Sequence, residues 1–364
     1  MKKIEFKSML VSIILVLLIY YFYTPALNIH AIEFWIFIIV ALCICGASTS
    51  YSTLLSKKFK PEKVGYLGAA VALIVAGVLV TDLFTSKIFH ASRYASRIEV
   101  ENVKFNNKTL HEVDFSKTPI IDRKSTVKLG DKVMGEIPEY VSQFEVSDDY
   151  TQISYKNSVY RVTPLEYASF FKYLTNSKNG IPAYITVNST NGKAEIVKLK
   201  DLGLNGMKYV PSAILNHNLN RKLQLSYPTS IFGSPSFEVD EKGHPWYVCT
   251  TYTYFGVSNK KKVTGAVLFD PITGKSKKYD KDKVPKWVDR VYPEELIMTE
   301  IDENGSLQDG FFNSVLGQKN VTVTSKGYNY LEKDGDIWIY SGITSANKDS
   351  SNLGFVLSNL RTHQ

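Results

Sequence analysis

One histidine and one cysteine near the middle of the chain form the sequence's closest match to a catalytic nucleophile with its base. His244 and Cys249 lie within a few residues of each other, and Cys249 is the only cysteine after residue 45. A cysteine nucleophile needs a base within hydrogen-bonding reach to form its thiolate. However, His244 lies in a Gly-His-Pro turn and Cys249 lies within an alternating strand pattern. This pattern favours a thiol buried in the core.

Two aspartates flank a predicted β-hairpin, and paired carboxylates carry out general acid-base chemistry in many hydrolases. Asp270 opens the turn Asp-Pro-Ile-Thr-Gly, and Asp280 ends the strand that follows. An aspartate at the start of such a turn usually accepts hydrogen bonds from its own backbone, which favours a structural role. The chain has 6 histidines, and no two have the short spacing of a metal site. We therefore predict no catalytic residues, no metal and no cofactor.

Aromatic side chains give the sequence's remaining signal for binding. Trp246, Tyr252 and Tyr254 share one face of a predicted strand, and Trp287 and Trp338 lie in neighbouring elements. Aromatic rings at a sheet surface can stack against a sugar or a peptide, whereas rings turned inward build the core. These five residues are the predicted ligand-binding set, and sheet core is the alternative interpretation.

The elements that would position these residues follow a strongly apolar N-terminal region. The first 90 residues contain only 8 of the 43 Lys and Arg and 4 of the 35 Asp and Glu. Three apolar stretches, at about residues 9–23, 31–47 and 65–84, are predicted to be membrane-spanning helices. This composition excludes a wholly soluble, a disordered and a disulfide-stapled protein.

The placement of lysine predicts how these helices are oriented. Lys2, Lys3 and Lys7 precede the first stretch, and four lysines lie at positions 57, 58, 60 and 63, whereas residues 24–31 carry no Lys or Arg. By the positive-inside rule, the N-terminus is cytoplasmic and the chain after the third span is extracellular. A cleaved signal peptide is disfavoured because no small-residue cleavage site follows the first stretch and two more apolar stretches do.

The rest of the chain predicts an α+β fold of antiparallel β-meanders with packed helices. We divide the sequence into a membrane domain (residues 1–86), a stalk and irregular β region (87–150), a first α+β unit (151–230) and a second α+β unit (231–364). Within these units, the sequence Thr-Pro-Leu-Glu at residues 163–166 predicts a helix start, and residues 284–298 also predict a helix.

Cysteine usage points to a bacterial surface. Cys43 and Cys45 lie in the second apolar stretch, so the outer region has Cys249 alone and can form no internal disulfide. Secreted eukaryotic domains of this size usually contain several disulfides.

Parts of the chain resemble known bacterial sequences. The hairpin AVLFDPITGKSKKYD (residues 266–280) resembles the hairpin of PepSY modules, which are small α+β units of bacterial envelopes. The stretch VPKWVDRVYP, together with SGITS and SNLGFVL near the C-terminus, is similar to stretches in uncharacterised membrane proteins of Gram-positive bacteria. The resemblance implies an extracytoplasmic binding or peptidase-modulating role without catalytic residues. The chain departs from the PepSY pattern in the large insertions between its units.

These observations predict a membrane-anchored bacterial cell-surface protein that binds a protein, a peptide or a cell-wall polymer without catalysis. Its expected partners are the lipid bilayer and an envelope component, and its modest outer charge disfavours nucleic acid. Two alternatives stay open. One is an envelope hydrolase built around Cys249 or the hairpin from Asp270 to Asp280. The other is an accessory subunit of a membrane transporter or sensor.

Overall fold

The structure is a computed structural model that describes residues 2–55, 61–104, 118–346 and 352–364. Its chain divides into two compact units. The first contains Met1–Phe89, Leu223–Ile231 and Thr253–Lys262, and the second contains His90–Lys222, Phe232–Tyr252 and Val263–Gln364. The unit with the N-terminal helices therefore includes two short segments from far along the chain.

Three long apolar helices dominate the first unit: α1 (Lys2–Tyr23), α2 (Ile32–Leu55) and α3 (Pro61–Phe84). The segments Phe6–Tyr23, Ile32–Leu55 and Val64–Phe84 are long and apolar enough to cross a membrane. The three predicted spans are thus confirmed as helices, and α2 continues beyond its predicted end at residue 47. Lysines 57, 58 and 60, which support the predicted orientation, lie outside the described residues.

Small residues bring these helices together. The hydroxyl of Ser8 in α1 donates a hydrogen bond to the carbonyl oxygen of Ser48 in α2, with the two oxygens 2.8 Å apart. Gly46 of α2 lies so close to Leu67 of α3 that a Cβ at residue 46 would overlap the leucine side chain. Close approach at small residues and hydrogen bonds between helices are the usual means of packing helices in lipid.

The loop at residues 24–31, between α1 and α2, is bonded to both inserted segments of the first unit. The amide of Leu27 donates to the carbonyl oxygen of Pro228 (2.7 Å), and the amide of Ser258 donates to that of His30 (3.0 Å). The ring nitrogen Nδ1 of His30 lies 2.7 Å from the carbonyl oxygen of Gly256. The loop is therefore held by both segments.

The C-terminal end of α3 binds one of these same segments. The amide of Val257 donates to the Asp82 carboxylate (3.1 Å), and the side-chain amide of Asn259 donates to the Asp82 carbonyl oxygen (2.7 Å). Gly256 fits against Thr85 with a φ of 82°, a conformation that glycine adopts without strain. The loop at residues 24–31 and the end of α3 consequently lie at one end of the helix bundle.

The second unit begins in α4 (Lys87–Ala95), which is kinked at His90. It continues with α5 (Arg123–Gly135), α6 (Pro138–Val141) and a sheet of five strands. The strands are β1 (Phe144–Val146), β2 (Thr151–Tyr155), β3 (Ser158–Tyr167), β4 (Ala183–Asn188) and β5 (Ala194–Lys198), and α7 (Phe170–Asn176) lies between β3 and β4 in the chain. The strand order is β1-β3-β4-β5, and β2 pairs with β3.

Two further sheets follow α8 (Leu219–Ser226). The second sheet contains β6 (Ile231–Phe232), β7 (Ser236–Val239), β8 (Pro245–Tyr254), β9 (Lys261–Phe269) and β10 (Ser276–Asp280) in the order β10-β9-β8-β6, with β7 on β8. After α9 (Glu294–Leu307), the third contains β11 (Thr322–Thr324), β12 (Asn329–Lys333), β13 (Asp336–Ser345) and β14 (Asn352–Asn359). Its order is β11-β13-β12, with β14 on β13. The α+β class with antiparallel sheets after three apolar helices is confirmed.

A buried ionic network joins the start of the second unit to α9. The Arg97 guanidinium pairs with the Glu303 carboxylate and lies 3.9 Å from that of Glu300, and all three side chains are at least nine-tenths buried. The side-chain amide of Asn304 donates to the carbonyl oxygen of Ala95 (2.9 Å). Residues near position 95 are therefore fixed to α9 by charge and by hydrogen bonds.

The predicted helix start at residues 163–166 is wrong, because β3 runs through it to Tyr167. Val162 and Leu165 are fully buried, and strand β3 pairs with β1, β2 and β4. Pro164 lies opposite Tyr184 at the end of the β3–β4 pairing. The helix, α7, begins only at Phe170, where the Ser169 side chain caps it.

Two other local predictions are corrected. Part of the predicted irregular β region is the helix α5, whose first turn is capped by the Asp122 carboxylate through the amide of Ser125 (2.8 Å). Residues 105–117 of that region lie outside the described residues. The helix predicted over residues 284–298 begins only at Glu294, after Pro293, and the residues before it form turns and extended chain.

Candidate functional site

Two of the five predicted binding residues come together in the second unit. The ring centroids of Trp246, on β8, and Trp287, in the loop before α9, lie 5.9 Å apart with their planes inclined by 41°. Both side chains are half-buried, so part of each indole faces solvent. Aromatic pairs at this separation are mutually attractive, and two indoles side by side supply apolar area for a ligand.

The other three predicted residues do not join this pair. Tyr252 is only 6% exposed and packs where a Cβ at Gly233 would overlap its ring, so it belongs to the core. Trp338 lies on β13, where the Lys333 ammonium is 4.8 Å from its ring centroid. Tyr254 belongs to the first unit. For Tyr252, the alternative interpretation as sheet core was the right one.

A histidine extends the tryptophan pair into a row of three rings. The His244 and Trp246 ring centroids lie 5.0 Å apart, with the planes inclined by 43°. We call His244, Trp246 and Trp287 the aromatic row. The Nδ1 atom of His244 is buried and has no hydrogen-bond partner among the residues that the structure describes.

One aspartate holds both the turn and the row in place. The Asp240 carboxylate accepts hydrogen bonds from the amides of Lys242 (2.9 Å) and His244 (3.0 Å) and from the indole nitrogen of Trp246 (3.3 Å). Gly243 has a φ of 80°, which closes the turn in a conformation that suits glycine. Asp240 was not singled out from the sequence, although an aspartate opening a glycine-containing turn is a recognisable signal.

A second turn approaches the row from the hairpin between β9 and β10. The Asp270 carboxylate accepts from the amide of Ile272 (2.8 Å) and the hydroxyl of Thr273 (2.6 Å), which confirms its predicted role in its own turn. It also lies 3.9 Å from Nε2 of His244. Asp270 itself is buried, so the site combines an aromatic face with the partly exposed Asp240 carboxylate, an arrangement suited to stacking a ring and accepting a hydrogen bond from a hydroxyl or amino group.

The residues proposed for a hydrolase occupy less suitable positions. Cys249 is fully buried, and this burial raises the pKa of its thiol well above the ordinary value. Its place along β8 puts it on the opposite face from Trp246. Asp280 forms an exposed ion pair with Lys283 (3.3 Å). Among the described residues, no three His, Cys, Asp or Glu side chains are placed to hold a metal ion.

Cys249 provides a direct prediction. In a chain with alanine at positions 43 and 45, iodoacetamide should label Cys249 slowly near neutral pH, because a buried thiol forms little thiolate. The substitution Cys249→Ala should leave ligand binding intact, and Cys249→Ser should lower the free energy of unfolding by about 1 kcal/mol by placing a hydroxyl in the core. Mass spectrometry measures the labelling, and denaturant unfolding measures the change in the free energy of unfolding. Rapid labelling, or loss of function in a folded Cys249→Ala chain, would favour the hydrolase.

A pair of buried acids in the core has no recognisable signal in the sequence. Glu238, on β7, is fully buried and accepts hydrogen bonds from the amides of Asp289 (2.9 Å) and Arg290 (3.2 Å). Asp289 in turn accepts from the amide of Ser154 on β2 (2.7 Å). Burial raises the pKa of both carboxyls, and their proximity adds to the effect at Asp289. Because these carboxylate oxygens accept hydrogen bonds from backbone amides, the pair links β7, β2 and the loop before α9.

No protein-family model, curated protein or solved structure significantly matches this chain. What the fold and the site define together is an α+β protein with three potential membrane-spanning helices and a half-buried aromatic row on its second unit. The resemblance to PepSY modules and to Gram-positive membrane proteins stays a prediction.

Proposed function

We propose that this chain is a multi-pass cell-surface protein of bacteria, anchored by α1–α3, that binds an envelope peptide, protein or cell-wall polymer through the aromatic row. In this proposal the N-terminus is cytoplasmic, the second unit is extracellular, and the bound partner is not chemically altered. The observation that carries the proposal is the half-buried pair of Trp246 and Trp287 beside His244.

The chemistry of the row supports a ring-bearing or hydroxyl-bearing ligand. Two indoles and an imidazole supply rigid apolar area, and ordering them on binding costs little conformational entropy. Asp240 is only partly buried and already holds its own turn, so its carboxylate can add a contact to a ligand without changing the fold. Tryptophans in partly buried positions are typical of the few residues that dominate binding energy.

Removing either indole should weaken binding strongly. We expect Trp246→Ala and Trp287→Ala each to reduce the affinity of the full-length protein, in lipid nanodiscs, for insoluble peptidoglycan that carries its wall polymer by at least about tenfold. Trp338→Phe is the matched control, because it removes an indole outside the row and should bind as the unmodified chain does. Sedimentation with the insoluble polymer measures the bound fraction, and circular dichroism checks the folding of each variant.

The same assay separates the alternatives. A hydrolase would release soluble fragments over time, whereas a binding protein leaves the polymer intact. An accessory subunit would act through its helices, where Gly65, Gly68 and Gly77 of α3 have open space beside them. In that case all three tryptophan variants would bind alike. Equal binding by folded Trp246→Ala and Trp338→Phe would contradict a role for the aromatic row.

A further inference from the structure

One buried carboxylate is connected to both tryptophans of the aromatic row. Glu238 on β7 lies directly opposite Trp246 on β8 in the antiparallel pairing. Residues opposite each other in such a pair extend their side chains from the same face of the sheet, with Cβ atoms about 5 Å apart. The Glu238 side chain is fully buried, whereas Trp246 is half-buried. Glu238 is therefore the cross-strand neighbour of Trp246 on its buried side.

The same carboxylate binds the loop that carries the second indole. Its two oxygens accept hydrogen bonds from the consecutive amides of Asp289 (2.9 Å) and Arg290 (3.2 Å), one oxygen for each amide. Trp287 lies two residues before the first of these amides, in a turn that the amide of Val288 closes on the carbonyl oxygen of Pro285 (3.1 Å). The loop is thus fixed by this carboxylate immediately after the turn that bears the indole.

The two indoles are held by different means. The indole nitrogen of Trp246 donates to the Asp240 carboxylate (3.3 Å), which fixes this ring directly. The Trp287 indole has no hydrogen bond to any other residue that the structure describes, and its contact in the row is the ring of Trp246. The position of Trp287 therefore depends on packing and on how its backbone is held.

We propose that Glu238 is a positioning residue of the ligand site, which holds the loop so that Trp287 lies against Trp246. The loop needs a carboxylate at this place because each oxygen accepts one backbone amide. Glutamine has the same shape but offers one acceptor oxygen and one NH2 donor. A buried amide without an acceptor is costly, so the loop of a Glu238→Gln chain must move. The effect of Glu238 on ligand binding rests on the proposed function of the row, whereas the position of the indoles is measurable without a ligand.

Circular dichroism of the ligand-free protein reports the tryptophan pair. Two indoles in contact and inclined to each other couple their electronic transitions and give two far-ultraviolet bands of opposite sign. The difference between the full-length protein in lipid nanodiscs and its Trp287→Phe variant defines these bands. We expect Glu238→Gln to lose most of this signal. A residue that only stabilised the fold would lower the free energy of unfolding without changing the bands of the folded chain.

A second buried acid supplies the control. Glu166 is buried on β3, and Glu166→Gln should keep the bands because this residue does not bind the loop. Glu238→Gln is also made in the Glu166→Gln chain, whose greater expected stability offsets what is lost with Glu238.

The effect on binding should act through Trp287 alone. In sedimentation with insoluble peptidoglycan that carries its wall polymer, Glu238→Gln should weaken binding toward the level of Trp287→Ala. Adding Glu238→Gln to Trp287→Ala should then weaken binding no further, because two changes that act through one indole are not additive.

Unchanged bands in a folded Glu238→Gln chain would overturn the proposal, and so would further weakening in the double variant. Loss of the bands with unchanged polymer binding would leave the positioning of Trp287 in place and contradict the ligand role of the row. Hydrogen exchange of the unmodified chain needs no variant to fold. Slow exchange of the Asp289 and Arg290 amides is expected, and rapid exchange would show that Glu238 does not hold the loop.

Discussion

Replacing Arg97 with alanine is expected to lower the free energy of unfolding of the second unit by about 3–5 kcal/mol. The Arg97 guanidinium contacts the carboxylates of Glu300 and Glu303, and the exposed fractions of these side chains are 5%, 4% and 6%, respectively. Arg97→Ala removes the guanidinium from beside two buried acids, of which Glu300 keeps its contact with His363 (2.5 Å), and removing one partner of a buried ion pair costs far more than losing an exposed ion pair. Denaturant unfolding followed by tryptophan emission reports on this unit, since Trp246, Trp287 and Trp338 lie in it.

An exposed ion pair provides the control for this effect. The ammonium of Lys193 lies 2.6 Å from the carboxylate of Glu195, and both side chains are largely in solvent. We expect Lys193→Ala to leave the unfolding curve unchanged, since water screens such pairs. A midpoint for Arg97→Ala equal to that of Lys193→Ala would mean that the network around α9 is open to water.

Replacing Glu166 with glutamine is expected to stabilise the protein at neutral and higher pH. Glu166, on β3, is buried, and this desolvation raises the pKa of its carboxyl from 4.5 to about 7, although Ser212 donates hydrogen bonds to it. A folded-state pKa above the unfolded value means that the folded chain holds the proton more tightly. Stability is therefore full below about pH 4.5, falls as the pH rises to about 7 and stays low above it.

Glutamine has the shape of the protonated acid but cannot ionise. Above about pH 7, Glu166→Gln should raise the free energy of unfolding by up to about 3 kcal/mol, and near pH 4.5 the two chains should be about equally stable. Urea unfolding across this pH range measures the difference between the two chains. Glu241→Gln, in an exposed turn, is the control and should give parallel curves. A constant difference between Glu166→Gln and the unmodified chain at every pH would contradict a buried, titrating Glu166.

The sequence was most informative where local pattern alone determines structure. Apolar runs of sufficient length predicted α1–α3, and alternation with turn residues predicted the β8–β10 meander. Helix α5 was missed because its sequence, RKSTVKLGDKVMG, has few apolar residues and contains Gly130. Gly130 lies so close to Tyr150 that a Cβ there would overlap the tyrosine hydroxyl. That packing is a tertiary contact which local sequence does not reveal.

For the candidate site, the sequence likewise indicated residue types but not the tertiary contacts between them. Aromatic type identified Trp246 and Trp287, but their meeting depends on how the loop before α9 packs against β8. The alternating pattern predicted that Tyr252 and Trp246 share one face of β8. Tyr252, however, is buried against the backbone at Gly233, whereas Trp246 is half-buried. The approach of His244 to Asp270 joins two separate turns and could not be read from spacing.

Contacts made by backbone groups are even harder to predict from a sequence. Some contacts of the segment Thr253–Lys262 with the rest of the first unit are made by backbone groups alone, as in the bond from the Ser258 amide to the His30 carbonyl oxygen. Every residue except proline carries those groups, so residue type does not indicate them. Gly256, with its positive φ, and Asn259, whose side-chain amide donates to the Asp82 carbonyl oxygen, are residue types that match this role.

Labelling from one side of the membrane tests most directly the claim that α1–α3 anchor an outward-facing second unit. In a full-length chain with alanine at positions 43, 45 and 249, single cysteines are introduced by Glu241→Cys, in the turn beside the aromatic row, and by Ser56→Cys, between the second and third spans. An impermeant maleimide applied to intact cells should label position 241 and should reach position 56 only after the membrane is permeabilised. Labelling of position 56 but not 241 in intact cells would place the second unit in the cytoplasm and contradict the account.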